Sequence, residues 1–306
     1  MDRLRPVHDV EIVEVGPRDG FQPIGPFIET ARKRAFIDAL AKAGFRRIEI
    51  GSFVSAKALP QLADSPALLA DLKGRSDILA QVLVPSERRA AEALAAGAPM
   101  IGYVLSVSEP HNLNNVRRTP AESAAEYERL MGQVPADVPV RLNLATAFDC
   151  PFAGKVDAQE VLALLDRLVP ARPEAEICLA DTTGRASPED MRRLFGEAQA
   201  RFSNVRHFAM HAHDTYGLGA ANVLAAYREG VRVFDAAFAG LGGCPFAPGA
   251  TGNVASEDLV WMFEGMGVST GIDLEALVAI AQEGAQLPGA QSGGRVREAL
   301  ARRRAA

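Results

Sequence analysis

Short apolar runs alternate along the chain with longer stretches of helical periodicity. Of the runs at 11–15, 47–52, 78–84, 101–106, 140–145, 175–180, 207–211 and 233–238, several are nearly continuous in apolar residues, as strands covered on both faces must be. Between them, 30–43, 60–72, 86–96, 120–131, 158–169, 188–201 and 219–229 read as helices. Several starts carry cap signals: Ser86-Glu87 before one helix and Ser187-Pro188-Glu189-Asp190 before another. In the second, proline sits in the first turn and acids face the positive helix end. The eighth run is followed by a helix at 256–266, and 274–286 comes as an extra. Eight βα units without a low-complexity linker predict one domain over 1–306, a (β/α)8 TIM barrel with extra C-terminal helices. An open doubly wound sheet is the weaker alternative, because no strand runs into a Gly-x-Gly-x-x-Gly turn. The Pro/Gly-rich stretch after Met131 makes the start of the fifth strand the least defined boundary.

Composition and charge narrow the partners. A net charge of −5 over 306 residues gives no electrostatic reason to expect nucleic acid or an anionic membrane surface. Three cysteines, Cys150, Cys178 and Cys244, are too few and too odd in number for a disulfide framework and fit a reducing cytoplasm. Residues 1–9 carry charges and a proline but no apolar signal core, and no run reaches the roughly 20 apolar residues that cross a bilayer. The basic tail Arg302-Arg303-Arg304 reads as a frayed helix end.

A barrel of this kind builds its site at the C-terminal ends of its strands, so polar residues there carry the chemistry. His211 and His213 are two apart in a strand, hence on one face, where both imidazoles can meet one ion. Asp19, in Val15-Gly16-Pro17-Arg18-Asp19-Gly20, ends a strand expected to neighbour theirs. Two histidines, a carboxylate and an amide leave room for substrate oxygens, as in a catalytic rather than a closed structural site. The mixed N/O set suits Mg²⁺ or Mn²⁺, although imidazole also suits Zn²⁺ or Fe²⁺. The bland alternative is a pair of core histidines. Arg18 is either half of a surface ion pair or a fixed guanidinium for an oxyanion. Glu49, inside a buried strand, needs a partner such as Arg18, or a catalytic proton. Asp181 is either the cap of the next helix or a residue facing the site. Cys244 follows Gly240, Gly242 and Gly243 in a loop able to move as a lid, and its thiol titrates close enough to neutral for proton transfer. No Gly-Lys-Ser/Thr follows these glycines, so they form no phosphate loop.

Three segments together resemble the 3-hydroxy-3-methylglutaryl-CoA lyase family, within the wider group of metal-dependent barrel lyases and condensing enzymes. They are Glu14-Val15-Gly16-Pro17-Arg18-Asp19-Gly20-Phe21-Gln22, His211-Ala212-His213-Asp214-Thr215-Tyr216-Gly217 and Ala239-Gly240-Leu241-Gly242-Gly243-Cys244-Pro245-Phe246. The likeness also covers Ser52-Phe53-Val54-Ser55, Cys150-Pro151-Phe152 and Gly252-Asn253. Condensing relatives usually carry Glu-Arg where this chain has Gly243-Cys244. The resemblance implies that Asp19, His211, His213 and Asn253 bind Mg²⁺ or Mn²⁺ and that Arg18 stabilises an enolate. It implies that Cys244 moves protons from the lid, that Glu49 and Asp181 tune or relay them with His211 in the catalytic set, and that the protein is a homodimer. One departure stands out: where the family usually reads Leu-Gln-Asn-Glu, this chain reads Phe21-Gln22-Pro23-Ile24, and the stretch to Ile28 is apolar.

The expected reaction is cleavage of 3-hydroxy-3-methylglutaryl-CoA, or a close 3-hydroxyacyl-CoA relative, to acetyl-CoA and a keto acid such as acetoacetate. The alternatives are a lyase for a C3-extended substrate, a condensing synthase or aldolase on the same barrel, and an idle metal-binding barrel that acts as an interaction protein.

Overall fold

A computed structural model describes residues 3–243 and 252–305. Cys244 lies outside the described residues. Eight parallel strands close into a barrel, β1 (Glu11–Glu14), β2 (Arg47–Ser52), β3 (Leu79–Val84), β4 (Ile101–Ser106), β5 (Val140–Ala145), β8 (Glu176–Asp181), β9 (Phe208–Ala212) and β10 (Val233–Ala236). The remaining strands, β6 (Asp149–Cys150) and β7 (Gly154–Lys155), form a small antiparallel hairpin beyond β5. Around the barrel run α1 (Thr30–Lys42), α2 (Ser65–Asp71), α3 (Glu87–Ala95), α4 (Glu109–Val116), α5 (Pro120–Met131), α6 (Ala158–Leu168), α7 (Pro188–Arg201), α8 (Gly219–Arg228) and α9 (Ser256–Gly265). α10 (Leu274–Gly284) and α11 (Arg295–Ala305) follow at the C-terminus.

The closed barrel is the architecture expected from the alternating pattern, and its fifth strand begins where the sequence placed it. Ser86 caps α3, and Ser187 with Asp190 forms a capping box on α7. The differences are local. The first strand stops at Glu14 and gives way to a π-helical turn, Gly16–Gly20. The last barrel strand ends at Ala236, and Phe238–Gly240 forms a 3₁₀ turn. Two helices rather than one follow β4, and the helix expected at 60–72 shrinks to α2 behind a 3₁₀ turn, Pro60–Leu62. No helix is long and apolar enough to cross a membrane among the described residues.

The lumen departs from the branched aliphatic filling usual in such barrels. Arg47 at the start of β2 reaches across to Glu176 at the start of β8, with both guanidinium–carboxylate contacts at 3.0 Å. Arg141 on β5 donates to Glu176 and also to Asp235 on β10, the latter at 2.6 Å. These residues are buried. β5 and β8 are neighbours, but the Arg47–Glu176 and Arg141–Asp235 pairs join strands that are not, so these side chains occupy the barrel's interior. An unpaired charge there would cost several kcal/mol, and the alternation of signs offsets part of that cost.

Candidate active site

Strand β1 delivers two site residues through the π-helical turn. Within it the amides of Arg18, Asp19 and Gly20 all donate to Val15 O, which tightens the backbone and projects Arg18 and Asp19 side by side. Single π turns of this sort recur at functional sites. The turn is seated on aromatic packing, since Phe21 meets Phe238 edge-on at 5.9 Å and Phe36 stacks on Phe238 at 5.2 Å. Arg18 pairs with the carboxylate of Asp19, and its Nε donates to Glu49 Oε2 at 2.7 Å. Glu49 therefore has the cationic partner that its burial demands, and Gln81 donates to its other oxygen at 3.2 Å.

Strand β9 delivers the histidines. Parallel pairing sets His211 against Asp235 on β10 and against Ala180 on β8. The rings of His211 and His213 lie 5.2 Å apart. One ligand atom from each of Asp19, His211 and His213 falls within 4.8 Å of the other two, close enough for a single ion. Asn253 arrives on a segment held by backbone pairing: its residue bridges His213, Asp214 N donates to Gly252 O and Val254 N to Ala212 O. Its Nδ2 donates to Asp19 Oδ2 at 2.8 Å and to Leu241 O at 2.9 Å. Gly242 passes so close that a Cβ would lie 2.7 Å from Asn253 Nδ2, and its φ of +137° favours glycine as well.

Electrostatics prepare these groups as ligands. Burial alone would raise the Asp19 carboxyl, but the Arg18 guanidinium, the two histidines and the Asn253 amide bring it down to about 2. Burial and the neighbouring His211 push His213 down to about 4, so near neutral pH its imidazole is uncharged. His211 is held above its usual value, because the hydrogen bond and charge of Asp235 outweigh the burial that would lower it. Two buried atoms here have no hydrogen-bond partner among the described residues: Asn253 Oδ1 and His213 Nδ1. Unpaired buried acceptors are costly, and a cation would satisfy both. The donor set, one carboxylate, one amide oxygen and two imidazoles, thus fits a divalent ion.

Asp181 ends β8 opposite Ala212. It is not the cap of the next helix, a place taken by Ser187. Its Oδ2 accepts from Ala186 N at 3.3 Å, Oδ1 is unpartnered among the described residues, and burial raises the carboxyl to about 7. The sequence-predicted residues Arg18, Asp19, Glu49, His211, His213 and Asn253 are brought together, whereas no hydrogen bond or ion pair among the described residues joins Asp181 to them. Sequence reasoning missed Asp235 and Arg141. The available signal was a charge in the middle of an apolar run, which a barrel strand tolerates only when paired.

The HMGL-like family model matches residues 9–283. This chain belongs to the HMGL-like family. Among its relatives is the (R)-citramalyl-CoA lyase of Chloroflexus aurantiacus, 42% identical over 88% of each chain. The 3-hydroxy-3-isohexenylglutaryl-CoA/hydroxy-methylglutaryl-CoA lyase of Pseudomonas aeruginosa is 37% identical over 95% of this chain and 97% of its own. A solved HMG-CoA lyase from Acinetobacter baumannii, in complex with coenzyme A and 3-methylmalate, is 39% identical and superposes with a TM-score of 0.89 over 97% of each chain. The HMGL-like fold and its lyase relatives agree with the family likeness seen in the three sequence segments.

Proposed function

We propose that this HMGL-like protein is a divalent-metal-dependent carbon–carbon lyase that cleaves 3-hydroxy-3-methylglutaryl-CoA, or a close 3-hydroxyacyl-CoA relative, to acetyl-CoA and a keto acid such as acetoacetate. The observation that carries the reading is the convergence of Asp19, His211 and His213 on one point beside the Arg18–Glu49 pair. Asp19, His211, His213 and Asn253 would hold Mg²⁺ or Mn²⁺. When bound, the ion supplies Lewis-acid chemistry that acidifies and orients a substrate hydroxyl.

The reaction balances within the substrate and the protein's own acids and bases. The 3-hydroxyl loses its proton to a base, the C2–C3 bond breaks, and C3 becomes the ketone of the departing keto acid. The electron pair passes to the thioester as an enolate, which a proton at C2 converts to acetyl-CoA. Arg18, permanently charged and clamped by Glu49 and Asp19, is the group for the enolate oxygen. With Nδ1 engaged by Asp235, only Nε2 of His211 is free, so in any one complex that nitrogen holds the ion or carries a transferable proton, not both. Asp181, raised to about 7, suits a proton relay. Cys244, from its sequence context alone, is the acid that returns a proton to the enolate. A cytoplasmic homodimer completes the reading, with Cys150 and Cys178 free and buried.

The test is acetyl-CoA release from a panel of 3-hydroxyacyl-CoA thioesters, run with and without metal. Release from none of them overturns the proposal.

A further inference from the structure

The ion-paired lumen of the barrel connects directly to one of the histidines. Asp235 Oδ2 lies 3.1 Å from His211 Nδ1, and its other oxygen accepts from Arg141 Nη1 at 2.6 Å. Arg141 is in turn held by Glu176, and Glu176 by Arg47, so the chain of pairs runs from the bottom of the barrel to the site. Arg141, Glu176 and Asp235 are buried among β5, β8 and β10 and touch neither substrate nor ion in the reading above.

We propose that Asp235 is a positioning residue that fixes the tautomer and ring orientation of His211, with Arg141 holding Asp235 in place, and that this pair thereby sets the affinity of the site for its divalent ion. The inference rests on the proposed metal site. Its logic is one of donors and acceptors. A carboxylate only accepts, so a neutral His211 facing Asp235 must carry its hydrogen on Nδ1, which leaves the Nε2 lone pair for the ion. A guanidinium only donates, so Arg141 keeps an oxygen of Asp235 facing itself and the carboxylate cannot rotate away. Partners that orient a ligating imidazole in this manner typically influence metal affinity by 10- to 100-fold.

Asp235→Asn separates this role from simple packing, since the two side chains have the same shape. Arg141 would retain the amide oxygen, so the amide nitrogen would face His211 Nδ1 and donate to it. His211 would then carry its hydrogen on Nε2 and lose the lone pair that binds metal. Histidine ¹⁵N chemical shifts of metal-free protein at alkaline pH read the tautomer, with His211→Gln assigning the signal. Mn²⁺ affinity is read by electron paramagnetic resonance, and a thermal melt confirms folding. The expected result is an Nδ1–H tautomer in the wild type, an Nε2–H tautomer in Asp235→Asn, and Mn²⁺ binding weakened roughly 10- to 100-fold. An unchanged tautomer or unchanged Mn²⁺ affinity in a folded Asp235→Asn overturns the inference while leaving the metal site standing. A wild type that binds no Mn²⁺ overturns the metal site itself. Should Asp235→Asn fail to fold, Arg141→Lys decides, because one ammonium cannot reproduce the fork that spans Glu176 and Asp235. A several-fold loss of Mn²⁺ affinity is expected there, and wild-type affinity overturns the inference.

Discussion

Asn253 and Asp19 stand 234 residues apart in sequence and share a hydrogen bond of 2.8 Å. That contact ties the segment leading into α9 to the turn after β1, on the side of the barrel where the two histidines project. It also leaves Asn253 Oδ1 buried and unpaired among the described residues. A divalent ion would be expected to occupy that position. Exhaustive chelation should abolish activity, and Mg²⁺ or Mn²⁺ should restore it. His213→Ala should weaken Mn²⁺ binding measured by electron paramagnetic resonance. Full turnover in metal-free protein would remove the ion from the mechanism.

Much of this geometry was legible before the structure. The same-face spacing of His211 and His213 follows from strand periodicity, and the cost of burying Glu49 pointed to a partner such as Arg18 or to a catalytic proton, of which the Arg18 pair is present. The π-helical turn at Gly16–Gly20 was not legible, because it depends on how Phe21, Phe36 and Phe238 pack together from distant parts of the chain. Nor was the ion-paired lumen, since Arg47 and Glu176 meet only when β2 and β8 face one another across a closed barrel. The pairing of Asn253 with His213 is likewise tertiary. No local pattern indicates which strand a loop will lie against.

Arg18 should act mainly on the transition state. Its Nε is spent on Glu49 and its terminal nitrogens lie between Glu49 and Asp19, so its position is set before substrate arrives. Arg18→Gln should lower kcat by roughly 10²–10³, the usual cost of losing a charge-stabilising donor, with a much smaller rise in KM. Arg18→Lys should recover little, because the planar fork is lost. A variant in which only KM changes would make Arg18 a binding residue instead.

Cys244 follows Gly242 and Gly243 in the sequence, and Gly242 itself passes close to Asn253, a Cβ there falling 2.7 Å from Asn253 Nδ2. Cys244→Ala should cut turnover by roughly 10²–10⁴, the range for removing an acid or base, without shifting the melting temperature. Alkylation should inactivate the wild type, and bound substrate should slow it. Wild-type turnover in Cys244→Ala would assign the proton to another group, with Asp181 the first to examine.

Glu14 gives stability a pH dependence. It is buried, accepts from the amides of Gly16 and Phe238 and from Ser256 Oγ, and burial outweighs these bonds to raise it from 4.5 to about 8. A carboxyl raised in the folded state binds more protons folded than unfolded between those two values. Its contribution is therefore complete below the lower value and is lost as pH rises through the higher. Glu257, also raised to about 8 by burial, acts in the same sense. The melting temperature of the metal-free protein should fall as pH rises from about 4.5 to about 8. Glu14→Gln keeps an acceptor for the amides and a donor for Ser256, and should flatten part of that fall. An identical slope in the variant would place the titration elsewhere.

The substrate's C3 substituent is the last question, and the loop after the π-helical turn bears on it. Apolar residues replace the family's polar ones from Pro23 to Ile28, which favours an extended apolar substituent if they line the acyl pocket. The structure places most of them elsewhere. Ile24 and Ile28 are buried in the hydrophobic core. Gln61 pins their backbone, accepting from Ile28 N at 2.9 Å and donating to Ile24 O and Pro26 O at 2.8 Å. Phe27 lies at the surface, with the Lys33 ammonium 4.4 Å from its ring centre. Pro23 nears the described part of the active-site loop, 3.7 Å from where a Cβ on Gly243 would sit. One exposed proline offers far less contact than a six-carbon chain needs at about 0.8 kcal/mol per buried methylene. The enzyme should therefore prefer a methyl group at C3. In a thioester series that varies only this substituent, from methyl to isohexenyl, kcat/KM for acetyl-CoA release should fall at least about tenfold, equivalent to 1.4 kcal/mol. A preference for the longer chain would overturn this expectation and mean that the substituent binds away from this loop.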